Sequence, residues 1–351
     1  MANHLMRATI HDVAKKAGVS SATASRVLSG SKYPVSEAAR KRIMDAAEQL
    51  NYRPNRLGQM LQKNASSDIG IILPNITNPF YTELVLGAES AAKERGFGRL
   101  LCNSLRNEVR ELEYLESLCQ KRVGGVIISS VSRDLSAAKQ LIETYQLRVA
   151  SLDQAIPEIT GLHVDFQVRR AAREAVRFLI GQGHRRIALI SAPAHTFSRK
   201  EFILGYRDAL NEAALPLRPE LELISNTEIE LESGQVYEFE NGKMLANKLA
   251  NLEERPSAVL CVNDITAAGV LRRLGELNLR VPDDISVMGV DNTAVSHMVT
   301  PPLCTVEQSP FEAGTRVANA LIDAIRDESA PRTTISITPV VVSRSSVKTI
   351  V

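Results

Sequence analysis

Residues 9–28, TIHDVAKKAGVSSATASRVL, set out two short helices and the turn between them. Ile10, Val13, Ala14 and Ala17 recur at the i, i+3, i+4, i+7 spacing of one helical face. Thr9 stands at the N-cap with Asp12 three residues on, an acidic group near the positive end of the helix. Gly18 supplies the residue that turns at positive φ without steric cost. Ser20 then caps a second helix whose inward stripe is Ala24, Val27 and Leu28. Two helices joined this way are either a plain helical hairpin or a helix-turn-helix, whose second helix enters a DNA major groove.

The following residues favour the second reading. SGSKYP is a loop, and Ser36 caps a third helix with Ala39, Ile43, Ala47 and Leu50 inward and Arg40, Lys41 and Arg42 outward. Residues 1–62 hold ten basic against four acidic side chains, a net +6 in a chain whose total is +2. A basic head on a mildly acidic body puts the polyanion contact at the head. NYRP at 51–54 breaks the third helix, because a residue before proline is pushed out of the α region. Asn55–Gln62 (NRLGQMLQ) reads as one more short helix, marginal unless something holds it, followed by a polar linker at 63–68.

From Ile69 the pattern changes to short apolar runs alternating with amphipathic helices: IGIIL, helix 80–95; GRLLC, helix 108–120; GGVIIS, helix 136–145; RVASL. A second set follows: helix 169–182, RIALIS, helix 199–213, LELIS, helix 242–252, SAVLCVN, helix 266–277, ISVMGVD. The tail reads as strand LCTVEQS, helix 311–325 and strand ISITPVVVS. Such βα units build parallel sheets covered by helices, and two similar sets imply two doubly wound lobes. Ligands of such lobes bind beyond the carboxyl ends of the strands, here at Pro74–Tyr81, Asp153, Asn263–Asp264 and Asp291–Asn292.

With 44% hydrophobic and 23% charged residues, the composition is that of an ordinary globular protein. Cys102, Cys119, Cys261 and Cys304 are scattered, with neither a CxxC pair nor metal-ligand spacing, so free thiols and no metal are expected. The N-terminus lacks an apolar signal region, and no run of about 18 apolar residues occurs, so a cytoplasmic protein without membrane insertion is expected.

The matching text TIHDVAKKAGVSSATASRVLSG, VSEAARKRIMDAAEQLNYRPNRLGQML, IGIILPNITNPFYTELVLGAESAAKERGF, GGVIISS, GHRRIALIS, SAVLCVND, LRVPDDISVMGVDN and PPLCTVEQ closely resembles the LacI/GalR family of transcriptional repressors. The resemblance runs in the family's order over practically the whole chain. It implies an α/β fold: an N-terminal all-α helix-turn-helix headpiece plus a two-lobed periplasmic-binding-protein-like core of doubly wound parallel sheets. The expected boundaries are 1–54 for the headpiece, 55–67 for hinge helix and linker, and 68–351 for the effector-binding and dimerisation core. Interlobe crossings near Asp165, Asn292 and Glu328 give an N-lobe of about 68–165 and 293–328, and a C-lobe of about 166–292 and 329–351. The implied partners are double-stranded operator DNA, a small-molecule effector and a second copy of the chain. A dimer is favoured over a dimer of dimers, because no leucine heptad follows Thr334.

The resemblance also assigns residues. Ser21, Ala22 and Arg26 match those that face base edges, with Arg26 able to contact guanine bidentately, while Ser20, Thr23 and Ser25 suit phosphate contact or capping. Thr9, Asn55, Arg56 and Gln59 complete the implied DNA-binding set with Leu61, which aligns with the leucine that wedges into the central minor groove. Gly58 stands where many relatives have alanine, which weakens the hinge helix. For the effector, Phe80 and Tyr81 match stacking positions, and Asn75, Asp153, Ser198 and Asn263 match polar cleft positions. Asp291 matches an acceptor of hydroxyl hydrogen bonds. Phe202 stands where many relatives carry an arginine three residues before the glycine of an RxxGY segment; Arg199 and Lys200 lie just upstream and could substitute, though on a different part of the helix or turn.

The implied function is a sequence-specific repressor controlled by a small molecule, a sugar or related metabolite. The rival reading is a two-lobed α/β enzyme acting on a small polar metabolite. Neither a GxGxxG nor a GxxxxGK[ST] loop is present, and no GxSxG elbow or Ser/His/Asp order stands out. The expectation is therefore a regulator with neither catalytic residues nor a cofactor.

Overall fold

The computed structural model describes residues 8–29, 33–52, 68–132, 134–153, 161–226, 237–327, 329 and 331–350. The chain falls into two compact units, Met1–Ala65 and Ser66–Val351.

In the first unit, α1 (Ile10–Ala17) starts on a reciprocal cap. The Asp12 backbone N–H donates to Thr9 Oγ1 at 3.4 Å, and Asp12 Oδ2 accepts from the Thr9 backbone N–H at 2.8 Å. Donation to Oδ2 from the Thr9 N–H and from the Thr9 hydroxyl, at 2.7 Å, holds the Asp12 carboxyl below its ordinary range. Gly18 ends the helix at φ +66°, where a Cβ would be strained. Ser20 accepts from the Thr23 N–H at 3.1 Å to start α2 (Ser21–Leu28), and Ser36 accepts from the Ala39 N–H at 3.3 Å to start α3 (Glu37–Gln49). Val13, Ala14, Ala17, Ala24, Val27, Ile43, Ala46 and Ala47 form the core. Five of the eight are alanines, so the helices pack closely and Ile43, fully buried, fills most of the space between them.

The second unit begins with β1 (Asp68–Leu73), α4 (Pro79–Glu94), β2 (Gly98–Asn103), α5 (Glu108–Gln120), β3 (Gly125–Ile128), α6 (Ser136–Tyr145), β4 (Arg148–Leu152) and β5 (Leu162–Asp165). Next come α7 (Val168–Gly181), β6 (Ile187–Ser191), α8 (Phe197–Glu212), β7 (Glu222–Ile224), α9 (Tyr237–Ala250), β8 (Ala258–Cys261), α10 (Asp264–Glu276) and β9 (Ser286–Met288). The chain ends with α11 (Ala294–Met298), β10 (Thr305–Glu307), α12 (Pro310–Arg326), β11 (Thr333–Ser336) and β12 (Val340–Val342). The N-lobe sheet is parallel throughout, in the order β2-β1-β3-β4-β5-β11, and the C-lobe sheet runs β7-β6-β8-β9, also parallel. Both have the doubly wound order in which the strand sequence reverses beside the first strand, and each reversal opens a crevice at the carboxyl ends. Along β1, Ile69, Ile71 and Leu73 pack with α4 and α12, while Ile72 packs with α5 on the other face. Burial on both faces explains why these strands read as continuous apolar runs.

The structure departs from the sequence expectations at several points. β5 and α11 were not anticipated, and α9 begins at Tyr237 rather than 242. ISITPVVVS is not one strand: β11 pairs with β5 of the N-lobe, and β12 pairs antiparallel with β10. Pro339, which has no N–H to donate, lies between them. Because Ile337 still donates to the Asp165 carbonyl at 2.9 Å, the last crossing follows it instead of lying near Glu328. Residues 333–336 therefore belong to the N-lobe. The middle crossing also moves, from near Asn292 to past Glu307. Leu303, Cys304 and Val306 pack in the C-lobe core, and α12 is the first segment after them to join the N-lobe core. The crossing expected near Asp165 lies between β5 and α7.

Candidate functional site

On the first unit, α2 turns Ala24 and Val27 inward and leaves Ala22 and Arg26 exposed, with Ser21, Thr23 and Ser25 at the margins. The Arg26 guanidinium lies 4.2 Å from the centre of the Tyr33 ring, a cation–π contact. Ser21 Oγ shares a hydrogen bond of 3.0 Å with His11 Nδ1, tying α2 to α1. The Ser20 and Thr23 hydroxyls bond each other at 2.8 Å, and Thr9 is occupied by its cap. Lys15, Lys16, Arg40, Lys41 and Arg42 are all exposed. Asn55, Arg56, Gly58, Gln59 and Leu61 lie outside the described residues.

In the second unit a cavity of about 110 Å³ opens where both sheets present their carboxyl ends. The Asn78 side chain accepts from the Phe80 N–H at 3.0 Å, and Pro79 opens α4, so Phe80 and Tyr81 enter the cavity from its first turn. Their rings meet edge-on at 5.3 Å. Asp153 follows β4, Asn263 caps α10 by accepting from the Thr266 N–H at 2.8 Å, and Asp291 follows β9. The Asp291 turn is pinned by Asp264, whose Oδ2 accepts from the Thr293 N–H at 2.7 Å and whose Oδ1 accepts from Thr305 at 2.6 Å. Ser198 and Phe202 enter from α8. Gly205 on that helix lets α7 approach: a Cβ there would stand 2.0 Å from the Arg169 carbonyl oxygen.

Seven of the eight effector positions expected from the sequence thus line one cavity. Asn75 does not. Its Nδ2 donates to Glu238 at 3.3 Å and its Oδ1 accepts from the Thr77 N–H at 3.0 Å and hydroxyl at 2.8 Å, so it supports the wall instead. Arg199 corrects a second expectation. It sits one turn before Phe202 on the same face, is 7% exposed, and lines the cavity. Arg106, Glu238, Ser129 and Gln308 also line it and were not anticipated. Glu238 had a legible signal, since Glu238 and Glu240 fall in the acidic first turn of α9. Arg106 had none: it stands in a turn where both Leu105 and Arg106 have positive φ.

The charges are unevenly spread. Burial pushes Glu238 up, but the nearby Arg106 and Arg199 outweigh it and leave the carboxyl below its ordinary range. Burial, then the neighbouring Asp165, raises Asp153 to about 7. Asp291 is raised well above its ordinary value by burial, then by Asp264 and Asp153. Burial pushes Tyr81 up to about 12. A second cavity of about 430 Å³ shares Asp153, Val168 and Phe197 with the first and is otherwise walled by polar and charged residues, including Arg169 paired to Asp208 at 2.6 Å. Among the described residues no group of His, Cys, Asp and Glu is placed to hold a metal, and no helix is long and apolar enough to cross a membrane.

Residues 9–55 match the description "Bacterial regulatory proteins, lacI family", and residues 176–347 match "Periplasmic binding protein-like domain". The HTH-type transcriptional repressor PurR of Vibrio vulnificus is 31% identical over 343 residues, covering 98% of this chain and 99% of that protein. PurR of Mannheimia succiniciproducens is 33% identical, covering 98% of this chain and 99% of its own. Among solved structures, the lac repressor dimer bound to operator and the anti-inducer ONPF aligns with a TM-score of 0.84 at 26% identity, over 97% of this chain and 99% of that one. The transcriptional regulator CelR in its cellobiose complex aligns with a TM-score of 0.68 at 28% identity, over 97% and 100%. With likeness of this extent running from headpiece to last strand, the chain belongs to the LacI family of bacterial regulatory proteins and is a DNA-binding transcriptional repressor of the LacI/PurR type.

Proposed function

We propose that two copies of this chain read a near-palindromic operator, each laying α2 in a major groove, and that a small molecule bound between the lobes sets the affinity. Arg26 reads a guanine, Ala22 and Ser21 meet neighbouring base edges, and Thr9, Ser20, Thr23 and Ser25 face phosphates. Asn55, Arg56, Gln59 and Leu61 act at the centre of the operator. The effector is a small polar metabolite, sugar-like in presenting hydrogen-bond donors, held by Phe80, Tyr81, Asp153, Ser198, Phe202, Asn263 and Asp291. The protein works in the cytoplasm as a regulator and not as an enzyme.

The observation that carries this reading is the closure of one polar cavity by strand ends of both lobes, in a chain that also carries a capped helix-turn-helix. A ligand there touches both lobes at once, so it can favour one lobe arrangement over another, as any effector must. The crystal structures of relatives with cellobiose and ONPF support a small-molecule site in this fold. The test is selection of operator duplexes from a random library, followed by a thermal-shift screen of sugars, polyols, nucleosides and amines on the same full-length protein. A ligand that raises Tm must also move operator affinity.

A further inference from the structure

We propose that Asp153 and Asp291 together receive a cationic amine of the ligand, so that the effector is a small amine-bearing molecule and not a neutral polyol. The inference rests on reading the interlobe cavity as the effector site, and it deepens that reading by naming a ligand class.

Asp291 is 7% exposed and lines the cavity, yet among the described residues its carboxylate has neither a hydrogen-bond donor nor an ion-pair partner. Asp153 Oδ1 is buried against the same cavity, also without a donor. One follows β4 of the N-lobe and the other follows β9 of the C-lobe, so closing the lobes brings two carboxyls together. A buried carboxylate without a partner is costly, and like charges facing each other oppose closure. Among the described residues no cation pairs with either carboxyl. Arg106 pairs with Glu238, and Arg199 donates to the Pro193 carbonyl at 3.1 Å and acts electrostatically on Glu238. Phe202, which shares the helix face with Arg199, gives Asp291 an apolar neighbour in the lining.

An ammonium group supplies three donors and a positive charge, whereas a hydroxyl supplies one donor and none. It would also sit among the Phe80, Tyr81 and Phe202 rings, whose faces attract cations. The space is small: a cavity of about 150 Å³ holds benzene, and this one is about 110 Å³. Burial and Asp165 from β5 act on Asp153, and Asp153 in turn acts on Tyr81 of α4 and on Asp291. The groups acting on Asp291 are Asp264, Asp153, Glu238 and Glu83, every one an acid. Cation binding therefore drives a proton off the pair, and the raised Asp153 carboxyl makes that release measurable near neutral pH.

The test uses the full-length protein and two matched pairs of small probes: 2-amino-1,3-propanediol against glycerol, and ethanolamine against ethylene glycol. Thermal shift and calorimetry at neutral pH, in two buffers of different ionisation enthalpy, read affinity and proton release together. The expected result is at least tenfold tighter binding of the amine in a pair, with net proton release. Asp153→Asn and Asp291→Asn should remove that preference while the apo Tm stays level or rises. Equal or tighter binding of the hydroxyl member, or no binding of either amine, overturns the proposal. A neutral sugar that binds without amine preference and moves operator affinity would leave the effector cleft standing and sink only the amine.

Discussion

Arg106 and Glu238 form an ion pair between a turn of the N-lobe and the first turn of α9 in the C-lobe, with only 2% of the Glu238 side chain and 15% of the Arg106 side chain exposed. Asn75 adds a second N-lobe donor to the same carboxylate, so these contacts latch the two lobes at the cavity wall. Removing Glu238 takes away the carboxylate that Arg106 and Asn75 share, and loss of one member of a buried pair costs about 3–5 kcal/mol. Glu238→Gln should lower the urea midpoint of the core, and the Arg106→Glu, Glu238→Arg double exchange should recover part of the loss. A single substitution costing nothing would show that the latch does not close the lobes.

At the headpiece, Arg26→Ala should cost about 1–3 kcal/mol in operator binding and relax preference at one base pair per half-site. Tyr33→Ala should weaken binding less, because it frees the arginine without removing it. Sequence selection with the Arg26 variant checks both reading and affinity. An unchanged preference would reduce Arg26 to a phosphate contact.

Salt dependence gives an independent measure of the same interface. A dimer whose headpieces each carry net +6 should show a slope of log K against log salt of roughly −5 to −10. Anisotropy titrations across a salt series supply it, and a slope near zero would rule out a phosphate-dominated interface.

Acidity should act on the cavity in a defined direction. In the folded protein Asp153 titrates near 7, above its ordinary 3.8, so the folded state holds the extra proton between those values. Its contribution to stability is full below 3.8 and is lost as pH rises through 7. Asp153→Asn should therefore be more stable than the parent at pH 8, with the difference shrinking as pH falls toward 5. Tm against pH for both proteins tests this, and a constant offset would contradict it.

Much of this was legible in the chain because it rests on local rules. Thr9, Ser20 and Ser36 as caps and Gly18 as the turn follow from short-range hydrogen bonding and φ preference, and all four were found where expected. The apolar runs of β1, β3, β4, β6 and β8 announced buried parallel strands. What escaped depends on long-range pairing. β11 and β12 lie in one apolar run, and only their partners, β5 and β10, assign them to different sheets. In the cavity, Asp153 and Asp291 fall at readable strand ends and Phe202 was placed by the family resemblance, whereas Arg106 reaches it through a left-handed turn that no periodicity marks. Arg199, open in the sequence as a substitute for the missing arginine, shares a face with Phe202 because the two stand three residues apart inside α8.

The most direct test of the account is operator affinity measured by anisotropy for the full-length protein, with and without a ligand shown by thermal shift to bind the cavity. The account predicts at least a tenfold change in operator affinity for the parent, and no ligand dependence once Asp291→Ala removes the cleft carboxylate. Operator curves that superimpose with the cavity empty and filled, or an Asp291→Ala protein with the parent's full response, would contradict it.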